Sequence, residues 1–164
     1  MTQTICRTTP VPETSGRRDR LSQGPDVLFC YGTLQFDAVL TALLGRIPAR
    51  APASAPGWRA ALLEGRVYPG LVVSTLGSTA PGALLTDLSN EEWRILDAFE
   101  DDRYELQEVT LSTGDRGWAY IWLDGEVQPE NWDAAVFEAL HLPEYAARCA
   151  RLAPGLAAGL PKSE

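Results

Sequence analysis

The chain has 164 residues, 45% of them hydrophobic, and a formal net charge of −8 at pH 7. This length and hydrophobic content suit one globular domain, whereas the acidic charge disfavours nucleic-acid phosphates and anionic membrane surfaces as partners. No apolar stretch reaches the roughly 20 residues of a bilayer-spanning helix and the N-terminus lacks the apolar core of a secretion signal, so we expect a cytoplasmic protein with no nucleic-acid or membrane partner.

The two ends of the chain are predicted to lie outside the folded domain. Residues 1–24 are rich in Thr, Pro, Ser and Arg and show no apolar period, which is typical of a flexible tail. Residues 153–164, most of them in the run PGLAAGLPKSE, are predicted to form a second loose end. The domain is therefore expected to span residues 25–152.

The elements of this domain are predicted from apolar periods and from the Gly and Pro residues between them. A buried strand at residues 27–31 ends in a Gly-Thr turn, and a helix with apolar residues at helical spacing follows and stops at Gly45. Further strands are expected at residues 59–65, 67–73, 80–88, 104–112 and 117–123, the last two forming a hairpin. Further helices are expected at residues 90–100, 132–140 and 143–152. This pattern predicts an α+β domain with helices packed on a mostly antiparallel, barrel-like sheet.

The sequence offers few of the residues that usually bind metals. It has three cysteines, Cys6, Cys30 and Cys149, which are too few and too scattered for a disulfide framework or a zinc site. Its single histidine is His141, so the commonest metal ligand and general base is almost absent. We therefore expect no metal and no cofactor, and chemistry that comes from carboxylates, tyrosines, a thiol or the backbone.

Glu100 is the first candidate for such chemistry. It follows a helix that begins with a capping box and whose apolar face contains Trp93 and Leu96, and helical spacing projects Glu100 into that apolar arc. The C-terminal end of the helix dipole and the neighbouring Asp101 and Asp102 also disfavour its anionic form. All three effects are expected to raise its pKa toward the range of a proton shuttle. The alternative is that the helix has ended and the three acids form a solvated turn.

The second candidate site is the loop that follows the first strand. Its glycine allows backbone amides to approach a ligand closely, and amides near the start of a helix can bind an anion. No Gly-Lys-Ser/Thr pattern follows, so this is not a phosphate-binding P-loop. An ordinary strand–turn–helix junction is the alternative. The candidate binding residues are Phe29, Cys30, Tyr31, Gly32, Thr33 and Leu34.

Four individual side chains have both a functional and a structural interpretation. Cys30 would need a paired base to act as a nucleophile, and a cysteine in a strand is more often a small buried hydrophobe. Tyr104 follows the acidic turn and is a candidate lining residue, with core packing as the alternative. Tyr120 is assigned to the core and Tyr68 to a structural break in a strand.

Four segments in order resemble the γ-glutamylcyclotransferase family, and more closely its AIG2-like branch. They are FCYGTL at residues 29–34, YPGL at 68–71, LDAFEDDRY at 96–104, and GWAYIWLDGE at 117–126 with NWDAAVFEALHLPEY at 131–145. The resemblance covers roughly residues 27–150. It implies a small β-barrel with packed helices, substrate binding along Phe29–Leu34 and a catalytic Glu100. It also implies a reaction in which a small γ-glutamyl compound cyclises to 5-oxoproline and releases its amine.

This implied reaction fits the residues already singled out. One carboxylate can take a proton from the substrate's α-amine and return it to the leaving amine. The backbone of Tyr31–Leu34 would then hold the α-carboxylate or polarise the γ-carbonyl. The chain departs from the family pattern at Leu106, where many members carry Arg, and at Asp101, where many carry Gly. These departures bear on how the catalytic turn is braced, a role that Arg103 could take over.

The resemblance favours a γ-glutamylamine as substrate over glutathione or a simple γ-glutamyl amino acid, and a monomer or homodimer is expected. Two other functions remain open. One is a catalytically silent module that binds a small molecule on the same fold. The other is an amidohydrolase that uses water in place of the substrate's amine and releases glutamate.

Overall fold

The computed structural model describes residues 26–159. The eight strands are β1 (Leu28–Cys30), β2 (Arg50–Pro56), β3 (Trp58–Leu63), β4 (Gly70–Val73), β5 (Thr79–Leu85), β6 (Tyr104–Thr110), β7 (Arg116–Trp122) and β8 (Val127–Asn131). The four helices are α1 (Asp37–Leu44), α2 (Asn90–Phe99), α3 (Ala134–Leu140) and α4 (Leu142–Ala157). The predicted α+β class is confirmed.

The strands form one sheet that is mostly antiparallel and curls into a barrel. Its hydrogen-bonded order is β2-β5-β1-β7-β4-β3-β8, with β6 on β7. Only the contacts of β7 with β1 and with β4 are parallel among the described pairs. The backbone N–H of Ser112, just after β6, donates to the carbonyl of Ser54 in β2 at 2.9 Å. This bond joins β2, β5, β1, β7 and β6 into a ring, as the predicted barrel requires.

Apolar side chains are buried on both faces of this sheet. Inside the ring, Phe29, Leu71, Val109 and Ile121 belong to one buried cluster. Outside it, a second cluster joins the sheet to the helices. Strand β1 contributes to both, since Phe29 faces the first cluster while its neighbours in the strand belong to the second. A strand buried on both faces explains why the sequence shows a continuous apolar run there.

Helix α2 begins as the sequence predicts and ends one residue earlier. The Ser89 hydroxyl accepts a hydrogen bond from the Glu92 N–H, and the Glu92 carboxylate accepts one from the Ser89 N–H, so the capping box is present. Arg46 also binds this carboxylate, with Nη2 2.6 Å from Oε1, and lowers the pKa of Glu92. The helix stops at Phe99, and Glu100 has the extended backbone angles φ −66° and ψ 143°.

Strands β2 and β8 were not predicted because their sequences carry little strand signal. They read RAPASAP and VQPEN, and both contain proline, which cannot donate to a sheet. The two strands stand at the ends of the hydrogen-bonded order. At an edge, a missing N–H costs nothing if it faces away from the neighbouring strand.

The prediction of a C-terminal tail at residues 153–164 is wrong for its first part. Helix α4 continues through Pro154 to Ala157. Leu156 lies at helical spacing from Cys149 and Leu152, and it is buried in the helix-side cluster. This burial fixes the last turns of the helix in spite of the proline. The predicted tail at residues 1–24 lies outside the described residues.

Between residues 26 and 159, no helix combines the length and the apolar character that crossing a membrane requires.

The close approach of β5 to β1 depends on a glycine. A Cβ atom on Gly82 would lie 2.2 Å from the carbonyl oxygen of Cys30, a contact that forces the two strands apart. We expect Gly82→Ala to lower the free energy of unfolding by about 1–3 kcal/mol, measured by urea denaturation. Gly125→Ala is the matched control, because a Cβ there meets nothing within 4 Å. Equal stability of the two variants would contradict the close packing of β5 on β1.

Candidate active site

One pocket gathers all the candidate residues at the junction of β1, the end of α2 and helix α4. Its empty volume is about 650 Å³ with the open mouth included. The residues singled out from the sequence all line it: Phe29, Cys30, Tyr31, Gly32, Thr33, Leu34, Glu100 and Tyr104. The two segments that were separate candidates in the sequence, the loop after β1 and the end of α2, therefore share one cavity.

The loop after β1 forms a 3₁₀ turn at Thr33–Gln35, with Gly32 as its first flanking residue. The first N–H groups of such a turn have no partner within the turn, and among the described side chains none caps it. Gly32 is required by its surroundings, since a Cβ there would lie 2.8 Å from Cγ of Pro69. The missing side chain lets the pocket wall at Pro69 pack directly on the loop.

Glu100 reaches the pocket because α2 has ended. Its N–H still donates to the Leu96 carbonyl at 3.0 Å, so it caps the helix while its own backbone is extended. Its φ of −66° is still helical and only ψ departs, so the side chain leaves the backbone in the direction that the helical arc gives it, and it lines the cavity. Glu100 is partly buried. Helix α2 thus delivers a carboxylate to the pocket from its last capping position.

The acidic turn after Glu100 is braced rather than simply solvated. The Tyr68 hydroxyl donates to Oδ2 of Asp101 at 3.1 Å, and the N–H of Arg103 donates to Oδ1 of the same carboxylate at 3.0 Å. Asp101 also lines the pocket, whereas Asp102 is exposed. The Asp101 side chain thus holds the turn against Tyr68.

Leu106 is the other departure, and Arg103 is the residue that could take over the bracing of this turn. Leu106 packs against the helix-side apolar cluster from strand β6. The Nε atom of Arg103 lies 3.9 Å from Asp101 and 3.4 Å from Asp124, and its guanidinium lies over the Trp122 ring. Arg103 therefore supports the turn from its solvent side.

Buried tyrosine hydroxyls fix the floor of the pocket. Tyr31 donates to the carbonyl of Tyr120 at 2.6 Å, and Tyr104 donates to the carbonyl of Pro69. Tyr120 in turn donates to Oδ1 of Asp97. These bonds tie β7 to the loop after β1 and to helix α2, and they tie β6 to the segment just before β4.

The thiol and hydroxyl groups of the floor stay protonated near neutral pH. Burial raises the pKa of Cys30 strongly, and the negative charge of Glu100 adds to the rise. The same two causes, in the same order, raise the pKa values of Tyr31 and Tyr145. Burial likewise raises the pKa of Tyr104, with Tyr31 and Glu100 as the next causes. Cys30 thus lacks the accessible thiolate that a nucleophile needs.

Sequence reasoning missed several lining residues. Tyr68 and Tyr120 were assigned to structural roles, and both line the pocket. Tyr145 and Arg148, on helix α4, were not singled out at all. The hydroxyl of Thr33 donates to the Tyr145 hydroxyl at 3.3 Å and joins α4 to the loop. Tyr145 and Arg148 are three residues apart on a predicted helix, which places both on one face. This spacing was the only signal in the sequence that they could line a site together.

No group of three or more His, Cys, Asp or Glu side chains within residues 26–159 is arranged to hold a metal ion.

The architecture is shared with solved structures of plant proteins. One Arabidopsis thaliana solution structure matches with a TM-score of 0.58 at 24% identity, covering 79% of this chain and 82% of that one. A second matches with a TM-score of 0.56 at 25% identity, covering 86% and 97%. These matches, with the barrel and its packed helices, define a γ-glutamylcyclotransferase-like fold.

Sequence comparison then assigns the family. A family model described as "Gamma-glutamyl cyclotransferase, AIG2-like" matches residues 28–136. The chain is 31% identical over 146 residues to AIG2-like protein D of Arabidopsis thaliana, and the aligned region covers 84% of this chain and 93% of that protein. It is 32% identical over 117 residues to AIG2-like protein C of the same plant, covering 64% and 67%. The chain belongs to the AIG2-like γ-glutamylcyclotransferase family.

The protonation of the buried thiols can be tested directly. Burial raises the pKa of Cys149 to about 12 and raises that of Cys30 further. In a Cys6→Ser background, we expect neither thiol to react with Ellman's reagent at pH 8 in the folded protein. Both should titrate at once in guanidinium chloride, which serves as the internal control. Prompt reaction of one thiol in the folded protein would show an accessible thiolate and would reopen Cys30 as a nucleophile.

Proposed function

We propose that this protein is a γ-glutamylcyclotransferase-type enzyme. It cyclises the γ-glutamyl group of a small γ-glutamyl amine or peptide to 5-oxoproline and releases the amine. The observation that carries the proposal is that Glu100 and the Phe29–Leu34 loop line one open pocket. Membership of the AIG2-like family supports it.

In the proposed reaction Glu100 moves two protons, one after the other, from the α-nitrogen to the leaving nitrogen. Its carboxylate takes the first proton from the α-ammonium of the glutamyl group, and the freed amine attacks the γ-carbonyl carbon. The new C–N bond closes the five-membered ring. The bond to the leaving nitrogen then breaks as Glu100 gives that proton to the leaving nitrogen. The ring nitrogen still carries one proton too many, and Glu100 passes this second proton to the released amine, which departs as an ammonium. Both reacting groups belong to one molecule, so ring closure avoids the entropic cost of bringing two reactants together.

The loop provides the remaining contact with the substrate. Negative charge develops on the γ-carbonyl oxygen during the attack, and backbone N–H groups are well suited to stabilise it. The N–H groups of Tyr31–Leu34 would hold this oxygen or the α-carboxylate. The hydroxyls of Tyr31 and Tyr104 already donate to backbone carbonyls. We therefore give these two tyrosines the role of fixing the pocket wall.

The shape of the pocket favours an enzyme over a silent binding module. Such a module would be expected to have a filled pocket or a Glu100 turned outward. Here the cavity is open and Glu100 lines it. An amidohydrolase would use the same cavity with water as the nucleophile, and its product would be free glutamate.

The proposed steps call only on a carboxylate and the backbone, so they need no metal and no cofactor. A cytoplasmic location and a monomeric or homodimeric state remain predictions.

The test is product analysis by mass spectrometry. Purified protein is incubated with ε-(γ-glutamyl)-lysine, γ-glutamyl dipeptides and simple γ-glutamyl amides. We expect 5-oxoproline from at least one substrate, and a loss of about a hundredfold or more in rate with Glu100→Gln, because the proton carrier is removed. Glu105→Gln is the control, since Glu105 is exposed on β6 and does not line the pocket.

The other outcomes separate the alternatives. Free glutamate in place of 5-oxoproline would identify an amidohydrolase. Full activity of Glu100→Gln would refute the role given to that residue. Binding of a γ-glutamyl compound without turnover would favour the silent module.

A further inference from the structure

The pocket has an uncharged floor and a charged rim. Its buried lining residues carry aliphatic, aromatic, hydroxyl and thiol groups. The ionisable lining residues Glu100, Asp101 and Arg148 are only partly buried, and we call these three residues the rim. Arg148 is the one basic side chain among the described residues that line the cavity. Arg148 is therefore the rim residue that would attract an anionic part of a substrate, whereas the carboxylates of Glu100 and Asp101 would repel it.

The position of Arg148 in the pocket wall is set by helix α4. Tyr145 is buried and accepts a hydrogen bond from Thr33, so the helix is docked on the substrate loop. Arg148 follows one helical turn later on the same face, and it is more exposed than Tyr145. Both residues lie beyond residues 28–136, the range that the family model matches.

The charges of Arg148 and Glu100 act on the same side chains of α4. Burial raises the pKa of Cys149, the positive charge of Arg148 opposes the rise, and the negative charge of Glu100 adds to it. The same two charges act in opposite directions on the pKa of Tyr145. These shared effects agree with a guanidinium group positioned near the reaction centre.

The direction in which a substrate enters follows from the proposed reaction. The α-amine and γ-carbonyl must lie between Glu100 and the loop, because they form the new ring. The leaving amine is attached to the γ-carbonyl and must depart through the mouth. It therefore extends along the rim, where Arg148 lies. Guanidinium groups bind carboxylates through paired, charge-assisted hydrogen bonds.

We propose that Arg148 binds a carboxylate on the leaving amine, so that the substrate class is γ-glutamyl amino acids and peptides rather than γ-glutamyl amides of neutral amines. This inference rests on the proposed function. It assigns Arg148 as a specificity-determining residue of the same site.

Three matched substrates test this assignment. γ-Glutamyl-alanine and γ-glutamyl-ethylamide differ only in the carboxylate of the leaving amine, and γ-glutamyl-alaninamide replaces that carboxylate by a neutral group of similar size. We expect Arg148→Gln to reduce kcat/KM for γ-glutamyl-alanine by about tenfold to a hundredfold, the usual cost of losing a hydrogen bond to a charged group. The same substitution should change kcat/KM for the two neutral substrates by less than about threefold.

Two further variants exclude trivial causes. Arg151→Gln removes the same charge from an exposed position of α4 outside the pocket, and it should leave all three rates unchanged. Arg148→Lys keeps the charge but loses the planar fork, and it should restore part of the preference for γ-glutamyl-alanine. An equal loss on all three substrates would overturn the proposal, because Arg148 would then serve the shared glutamyl group or the fold.

Binding measurements keep this inference separate from the proposed reaction. Calorimetry on Glu100→Gln protein gives affinities for the same three compounds with and without Arg148→Gln. If no compound yields 5-oxoproline but γ-glutamyl-alanine still binds through Arg148, the reaction is wrong and the anion recognition stands. If 5-oxoproline forms and the arginine gives no preference in rate or affinity, the reaction stands and the assignment of Arg148 is wrong.

Discussion

Phe29 fills the interior of the barrel while Leu28 and Cys30, its neighbours in β1, pack toward the helices. This burial on both faces fixes the strand between two apolar clusters. The loop that follows β1 inherits that rigidity, because only one residue separates the end of the strand from Gly32. A site built directly on a buried strand needs little reorganisation when a ligand enters. The position of the loop amides is therefore set by the core and not by the surface.

Helix α2 delivers the second half of the site by a different means. Its N-terminus is fixed by a reciprocal cap and an arginine, and its C-terminus ends where Glu100 lines the pocket. The backbone changes from helical to extended at Glu100, and the braced turn at Asp101 keeps that change in place. The rest of the pocket is neutral at its floor, so the carboxylate acts in surroundings with few competing charges.

Much of this arrangement could be predicted from the sequence, and the failures have physical causes. The capping box gave the start of α2, and the motif order gave the residues of the loop and Glu100. Strands β2 and β8 were missed because edge strands tolerate proline and alanine, which carry no strand signal. The contribution of α4 to the pocket was missed because it depends on tertiary packing. Nothing in the local pattern of Tyr145 and Arg148 shows which face of the helix meets the loop.

The prolines of the edge strands have a consequence for how copies of this protein can meet. Pro52 and Pro56 lie in β2, and Pro129 lies in β8. An exposed sheet edge is a template on which a second chain can add a strand, and proline disrupts that template because it offers no N–H. Strand addition is thus disfavoured at β8 by its proline, and at β2 both by its prolines and by the hydrogen bond from Ser112 that already joins β2 to the end of β6. The ends of the sheet therefore offer a second copy of this chain little to pair with.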